Sequence, residues 1–172
     1  MCAAVLREAV QEVLADPARY DTLYVVGAAI TGSIPVDADP RGFEKVYLGY
    51  DDAGTPVGFA IPGAEPGFQD LIRLLFGYDP RSNRVIGMRI LESKETPGLG
   101  DKIEKDAAFV AAFERVTAPI QGVKVGRGQG DEHEIDMITG ATISSRTVIA
   151  IINHRLEALG PLLDAYIAER RR

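Results

Sequence analysis

The sequence predicts an α+β fold: one antiparallel β-sheet with helices packed on it, closed by a long C-terminal helix. Two observations carry this. Two successive strand–turn–strand patterns occupy 43–61 and 71–91, and hairpins of that kind pair antiparallel. Apolar residues then recur at helical spacing near both ends of the chain, which gives helices that must bury one face against the sheet.

Taken in order, residues 3–15 read as an amphipathic helix, with Ala4, Val5, Ala9, Val13 and Leu14 on one side and Arg7, Glu8, Gln11 and Glu12 on the other. Asp16-Pro17 ends it. Residues 20–42 are mixed, with a short buried strand expected over 23–30. Phe43–Tyr50 and Pro56–Ile61 form the first hairpin around Asp51-Asp52-Ala53-Gly54. A Gly/Pro-rich break at 62–67 separates it from the second, Leu71–Tyr78 and Arg84–Leu91, which turns at Asp79–Asn83.

A loop at 92–101 leads into a helix over 103–114, and a strand is expected at 123–125 among glycines 122, 126, 128 and 130. The last helix spans 141–159. Val148, Ile149, Ile151, Ile152, Leu156 and Leu159 form its apolar stripe, and Gly160-Pro161 stops it. The expected organisation is one domain over 1–172: an N-terminal helix to residue 16, a core over about 20–160 and a tail over 161–172.

Bulk properties narrow the function. The chain has 172 residues, is 46% hydrophobic and 26% charged, and carries a net charge of −6. No nucleic-acid partner is expected, because no sustained basic face exists to neutralise phosphates. The one basic run, Arg170-Arg171-Arg172, reads as a solvated, partly frayed end. A single cysteine, Cys2, forms no internal disulfide, and two histidines, His133 and His154, make a poor metal cluster. No apolar run approaches the roughly 18 residues needed to span a bilayer, and no secretion signal is apparent. Paired acid/base carboxylates, a Ser/His/Asp arrangement and a Gly-rich nucleotide loop after a strand are all missing.

The informative segment is Asp136-Met137-Ile138-Thr139-Gly140-Ala141-Thr142-Ile143-Ser144-Ser145. Hydroxyl residues and a glycine stand immediately before an apolar helix. Unsatisfied N–H groups and the positive end of the helix dipole therefore lie beside Thr139 and Thr142, which is an anion site. A purely structural reading fits the same residues: Thr139 or Asp136 caps the helix, and Ser144 and Ser145 are polar residues of its first turn.

This segment resembles the flavinylation motif of the FMN-binding domain family, which includes the G component of Rnf complexes and the C component of sodium-translocating NADH:quinone reductase. The pattern is Asp, two residues, Ser or Thr, Gly-Ala, the Ser or Thr that receives FMN, and Ser or Thr at the second position beyond. Asp136, Thr139, Gly140, Ala141, Thr142 and Ser144 fill it. By this resemblance FMN is held covalently through its phosphate on Thr142 Oγ, with the neighbouring Ser145 counted in the site. A separate flavin transferase of the ApbE type makes the bond from FAD.

Glu92-Ser93-Lys94-Glu95-Thr96-Pro97-Gly98-Leu99-Gly100-Asp101-Lys102-Ile103 looks like the loop that the RnfG-like proteins carry before a helix. Thr96-Pro97-Gly98-Leu99 is also type II turn chemistry in its own right. In the family this loop contacts the isoalloxazine ring, which implies Glu95, Thr96, Pro97, Gly98, Leu99, Gly100 and Lys102 as flavin neighbours. Leu99 would be an apolar wall, and Lys94 or Lys102 is either near the ring or solvated.

The resemblance implies an electron-transfer subunit working with the other subunits of an Rnf-like, ion-translocating membrane complex. Its location is then the extracytoplasmic face of the membrane, with the anchor outside this sequence, or alternatively the cytoplasm as a soluble member. The sequence leaves two other readings open: a free-standing flavin-dependent reductase, or a module of the same fold that receives no flavin.

Overall fold

The computed structural model describes residues 2–171; Met1 and Arg172, the end of the basic run, lie outside the described residues. Helix α1 (Ala3–Val13) precedes strands β1 (Arg19–Val26) and β2 (Ala29–Thr31), then a single 3-10 turn, Pro40–Gly42. Four long strands follow: β3 (Glu44–Tyr50), β4 (Pro56–Pro66), β5 (Leu71–Asp79) and β6 (Arg84–Glu92). Short helices α2 (Lys102–Lys105) and α3 (Ala107–Ala112) lead to β7 (Val116–Thr117), β8 (Gln121–Lys124), β9 (Glu134–Met137) and helix α4 (Thr142–Arg170). The main sheet is seven-stranded and antiparallel, in the order β2-β1-β3-β4-β5-β6-β7.

Strand alternation sends β4 and β5 side chains to two faces. Phe59, Ile61, Ile72, Leu74 and Phe76 meet Val148, Ile149, Ile151 and Ile152 of α4 in the larger core. Ala60, Leu75 and Tyr47 meet Ala9, Val10 and Val13 of α1 on the opposite face. The expected fold class is therefore met, with α1 on one face of the sheet and α4, together with α2 and α3, in the core on the other.

Several expected boundaries are corrected. The strand expected over 23–30 is a hairpin, β1 and β2, which turns at Gly27 with φ of 60°. The break expected at 62–67 is strand: β4 runs on to Pro66, paired with β5 through Pro66↔Leu71. Pairing with β3 is recorded only up to Ala60, so this half of β4 is an edge. An edge tolerates Pro62 and Pro66 because a missing N–H on the open side costs no ladder bond. The helix expected over 103–114 is two helices, broken at Asp106, whose carboxylate accepts from Phe109 N at 3.0 Å and caps α3. Where the sequence predicts only a strand at 123–125, the fold has a two-stranded sheet of β8 and β9, paired in parallel.

Gly160-Pro161 does not stop α4, and residues 161–170 are helix rather than tail. Proline inside a helix costs about 3 kcal/mol. Beyond it Leu163 is fully buried and Leu162, Tyr166 and Ile167 pack on the core, with Tyr166 edge-on to Phe59 at 6.3 Å. At roughly 1.5–3 kcal/mol per buried large apolar side chain, the burial outweighs the break. Arg170 is helical and exposed, its guanidinium 5.6 Å from the centre of the Tyr50 ring.

The seat of α1 is set by two paired glycines. A Cβ on Gly77 would collide with the Val13 carbonyl oxygen, and one on Gly87 would lie 2.7 Å from it. Backbone cannot move aside as a flexible side chain can. Gly77→Ala is expected to lower stability by about 1–3 kcal/mol through overpacking, read as a reduced urea midpoint.

Candidate functional site

Helix α4 opens without a side-chain cap. Its N-cap is Ala141, at φ −134° and ψ 38°, and Thr139 and Asp136 are both exposed and cap nothing. The first helical bond is Ser145 N to Ala141 O, 2.9 Å, so the N–H groups of Thr142, Ile143 and Ser144 have no intrahelical acceptor. Their donors and the helix dipole favour an anion here. Gly140 sits at φ +82°, which admits the chain to the helix in a conformation that side chains disfavour. Thr142, the first helical residue, is half-buried.

Ser145 clamps this entry from beneath. Its buried hydroxyl donates to Ala141 O at 2.7 Å and accepts from Ile138 N at 3.1 Å. The segment before the threonine is thereby tied to the turn after it.

Ser144 makes the second tie. Its hydroxyl donates to Glu95 Oε2 at 2.6 Å, across 49 residues of chain. Glu95 Oε2 also accepts from Phe68 N at 3.2 Å, and Oε1 accepts from Gln69 N at 3.1 Å and Asp70 N at 3.3 Å. Glu95 is 4% exposed and Ser144 2%. Burial pushes the Glu95 carboxyl up, but the Ser144 hydroxyl and the N–H groups of Gln69, Asp70 and Phe68 outweigh it and hold it below its ordinary value.

The loop after Glu95 folds as its residues direct. Leu99 N donates to Thr96 O at 3.1 Å, with Gly98 at φ +76° in the third place; this is a type II turn. Gly100 then passes so close to Glu95 that a Cβ would lie 2.8 Å from Glu95 Cβ and 3.0 Å from Ser144 Oγ. Around this junction stand large apolar side chains left in the open: Leu99 (51% exposed), Ile143 (51%) and Phe68 (64%).

A groove of about 970 Å³ runs between α2–α3 and the 125–139 segment, lined by Lys102, Phe109, Val125, Asp136, Met137 and Thr139 among others. That volume is at the upper end of the ~300–1,000 Å³ usual for ligand sites. Asp136, Thr139 and Lys102 thus share one groove, while Glu95, Gly100 and Ser144 share one junction. Thr142 lies in sequence between Thr139, which lines the groove, and Ser144 of the junction, and does not itself line the groove. Thr96 is half-buried, Pro97 and Gly98 are exposed, and Ala141 is buried. Lys94 is exposed and does not line the groove.

Sequence reasoning misses Phe68 and Ile143. Ile143 stands inside the motif at a place whose type is not prescribed, and Phe68 falls between the break read at 62–67 and the strand read from Leu71, where no element is expected. Its signal is a large aromatic beside Pro66-Gly67.

Together these features describe a receptacle for a phosphorylated, planar ligand: free N–H groups for the phosphate, a hydroxyl beside them, and apolar side chains for a ring. FMN fits that set. Among the described residues no metal-binding cluster is present.

The sequence pattern of the FMN-binding domain matches residues 67–157, a stretch that holds every residue of this site, and the chain belongs to that family. It is 33% identical over 117 residues to the G component of the ion-translocating oxidoreductase complex of Haemophilus influenzae, covering 67% of this chain and 56% of that protein. Against the corresponding component from Methanosarcina acetivorans it is 30% identical over 151 residues, 88% of this chain and 73% of the relative. The chain thus spans little more than half the length of the Haemophilus relative. The crystal structure of Shewanella oneidensis NqrC superposes with a TM-score of 0.74 over 93% of this chain and 96% of that one, at 18% identity, which is a likeness of fold.

The four-donor cradle has a pH signature. A carboxyl whose folded value lies below the ordinary 4.5 adds stability at pH above 4.5, and loses it as pH falls through the lower folded value. Urea unfolding is expected to show Glu95→Gln less stable than wild type by about 1.5–3 kcal/mol at pH 7. The gap should close as the pH is taken well below 4.5.

Proposed function

We propose that this chain carries FMN esterified through its phosphate to Thr142 and relays electrons as a subunit of an Rnf-like, ion-translocating membrane oxidoreductase. The observation that carries the reading is the half-buried Thr142 side chain at the open start of α4, beside three N–H groups with no helical acceptor. Membership of the FMN-binding domain family supports it, as do the names of the relatives, which are components of ion-translocating oxidoreductase complexes.

When bound, FMN supplies the capacity to take up and release electrons; the protein supplies retention, orientation and electrostatics. In the attachment step Thr142 Oγ bonds to the flavin-side phosphorus of FAD. The P–O bond to the adenylate breaks, AMP leaves with its electron pair, and the threonine proton passes to a base of a flavin transferase of the ApbE type. The phosphodiester would keep one negative charge, which the N–H groups of residues 142–144 and the helix dipole would stabilise by about 0.3–1 kcal/mol, more where partly buried. Gly140, without a side chain, lets the phosphate approach the backbone. Leu99, Ile143 and Phe68 offer the ring an apolar surface, and Lys102 a cation along the groove.

The tether explains how a ring can lie at the surface, open to donor and acceptor groups of other subunits, without being lost. The chain works at the extracytoplasmic face of the membrane. No helix among the described residues is long and apolar enough to cross a bilayer, so its association comes from partner subunits or from sequence outside them.

Co-expression with a flavin transferase should add the mass of one FMN less one water to the intact protein. Thr142→Ala should add nothing, and Thr142→Ser, which keeps the hydroxyl, should still be labelled. Equal labelling of Thr142→Ala would overturn the assignment.

A further inference from the structure

We propose that Glu95 is a positioning residue of the attachment site: through Ser144 it fixes the turn of α4 that presents Thr142, and through the N–H groups of Phe68, Gln69 and Asp70 it fixes the adjoining apolar rim. The inference rests on the reading of Thr142 as the flavin acceptor.

The bonding leaves Glu95 no free acceptor site for a ligand. A carboxylate offers about four lone-pair sites, and four donors occupy them: Ser144 Oγ and Phe68 N on Oε2, Gln69 N and Asp70 N on Oε1. With those sites filled and the residue buried, it cannot also bind the polar edge of a ligand without giving up a protein donor. It acts through what it holds.

What it holds is the site itself. Phe68 is bonded to it by its own N–H, Leu99 directly precedes Gly100, and Ile143 directly precedes Ser144. A Cβ on Gly67 would stand 2.6 Å from Glu95 Oε1, and one on Gly100 would stand 2.9 Å from Oε2. Backbone on two sides is thus bare of side chains where this carboxylate sits. Three segments far apart in sequence, 67–70, 95–100 and 142–145, converge on it.

Its charge is held by neutral donors. Among the described residues no Lys, Arg or His forms an ion pair with Glu95. A buried anion without a counter-ion makes it harder to add electrons to a group beside it. Removing the charge should therefore move the midpoint of a flavin bound at Thr142 to more positive potential, an effect that a purely mechanical strut would not produce.

The test uses the full chain with FAD and a flavin transferase, following FMN incorporation by intact mass and the midpoint of the product by spectroelectrochemistry. Glu95→Gln should take up FMN at least tenfold more slowly than wild type and carry it at a more positive midpoint. Ser144→Ala, which removes one donor and leaves the charge, should slow uptake severalfold; it decides the matter should Glu95→Gln fail to fold. Glu95→Asp, too short to reach both partners but still charged, should slow uptake and leave the midpoint nearer wild type. Wild-type uptake rates in Glu95→Gln and Ser144→Ala would overturn the inference while leaving the role of Thr142 intact. Wild-type protein that takes up no FMN, or Thr142→Ala that does, would instead overturn the reading on which it rests.

Discussion

A single buried carboxylate, that of Glu95, joins three stretches of chain, 67–70, 95–100 and 142–145. It is buried and, among the described residues, has no cationic partner; four hydrogen bonds stand in for solvation. An unpaired buried charge is among the most costly features a fold can contain. The surrounding chain is accordingly constrained: a hydroxyl must stand at 144, the turn at 67–70 must point its N–H groups inward, and residues 67 and 100 have no room for a Cβ. The position of Thr142 between Ser144 and the clamped 138–141 segment follows from those requirements.

The rest of the architecture makes that junction rigid. Helix α4 is 29 residues long, about 43 Å at 1.5 Å per residue, and lies against β4 and β5 through an apolar face that continues past Pro161. Its first turn therefore cannot shift without disturbing most of the larger core. Helix α1 pins the other face of the sheet through the close approach of Val13 to Gly77 and Gly87. A site meant to hold a reactive group at the protein surface gains from such a base, since the loops that bear it have no core of their own.

Much of this is legible in the sequence, and where it is not the reason is physical. The hairpins of β3–β6 show because alternation and turn residues are local signals. The motif at 136–145 shows because its residue types stand at fixed spacing within the stretch that matches the FMN-binding domain family. The stop at Gly160-Pro161 misleads, because a local penalty is outweighed by burial of Leu163 and its neighbours, which only the tertiary structure reveals. β8 and β9 pair in parallel across the 125–133 loop, and short strands of that kind carry no periodicity to read. Glu95 is singled out as a flavin neighbour through a family likeness. Its link to Ser144, 49 residues away, has no local trace at all.

For the proposed covalent attachment the decisive question is which hydroxyl would carry the flavin, since Thr139, Thr142, Ser144 and Ser145 lie within seven residues of one another. Ser144 and Ser145 are buried and already bonded, and Thr139 is exposed ahead of the helix. Fragment-ion mapping of the tryptic peptide 128–146 from flavin-loaded protein settles it. FMN is expected on Thr142 alone; a flavin found on Thr139, Ser144 or Ser145 would contradict the assignment.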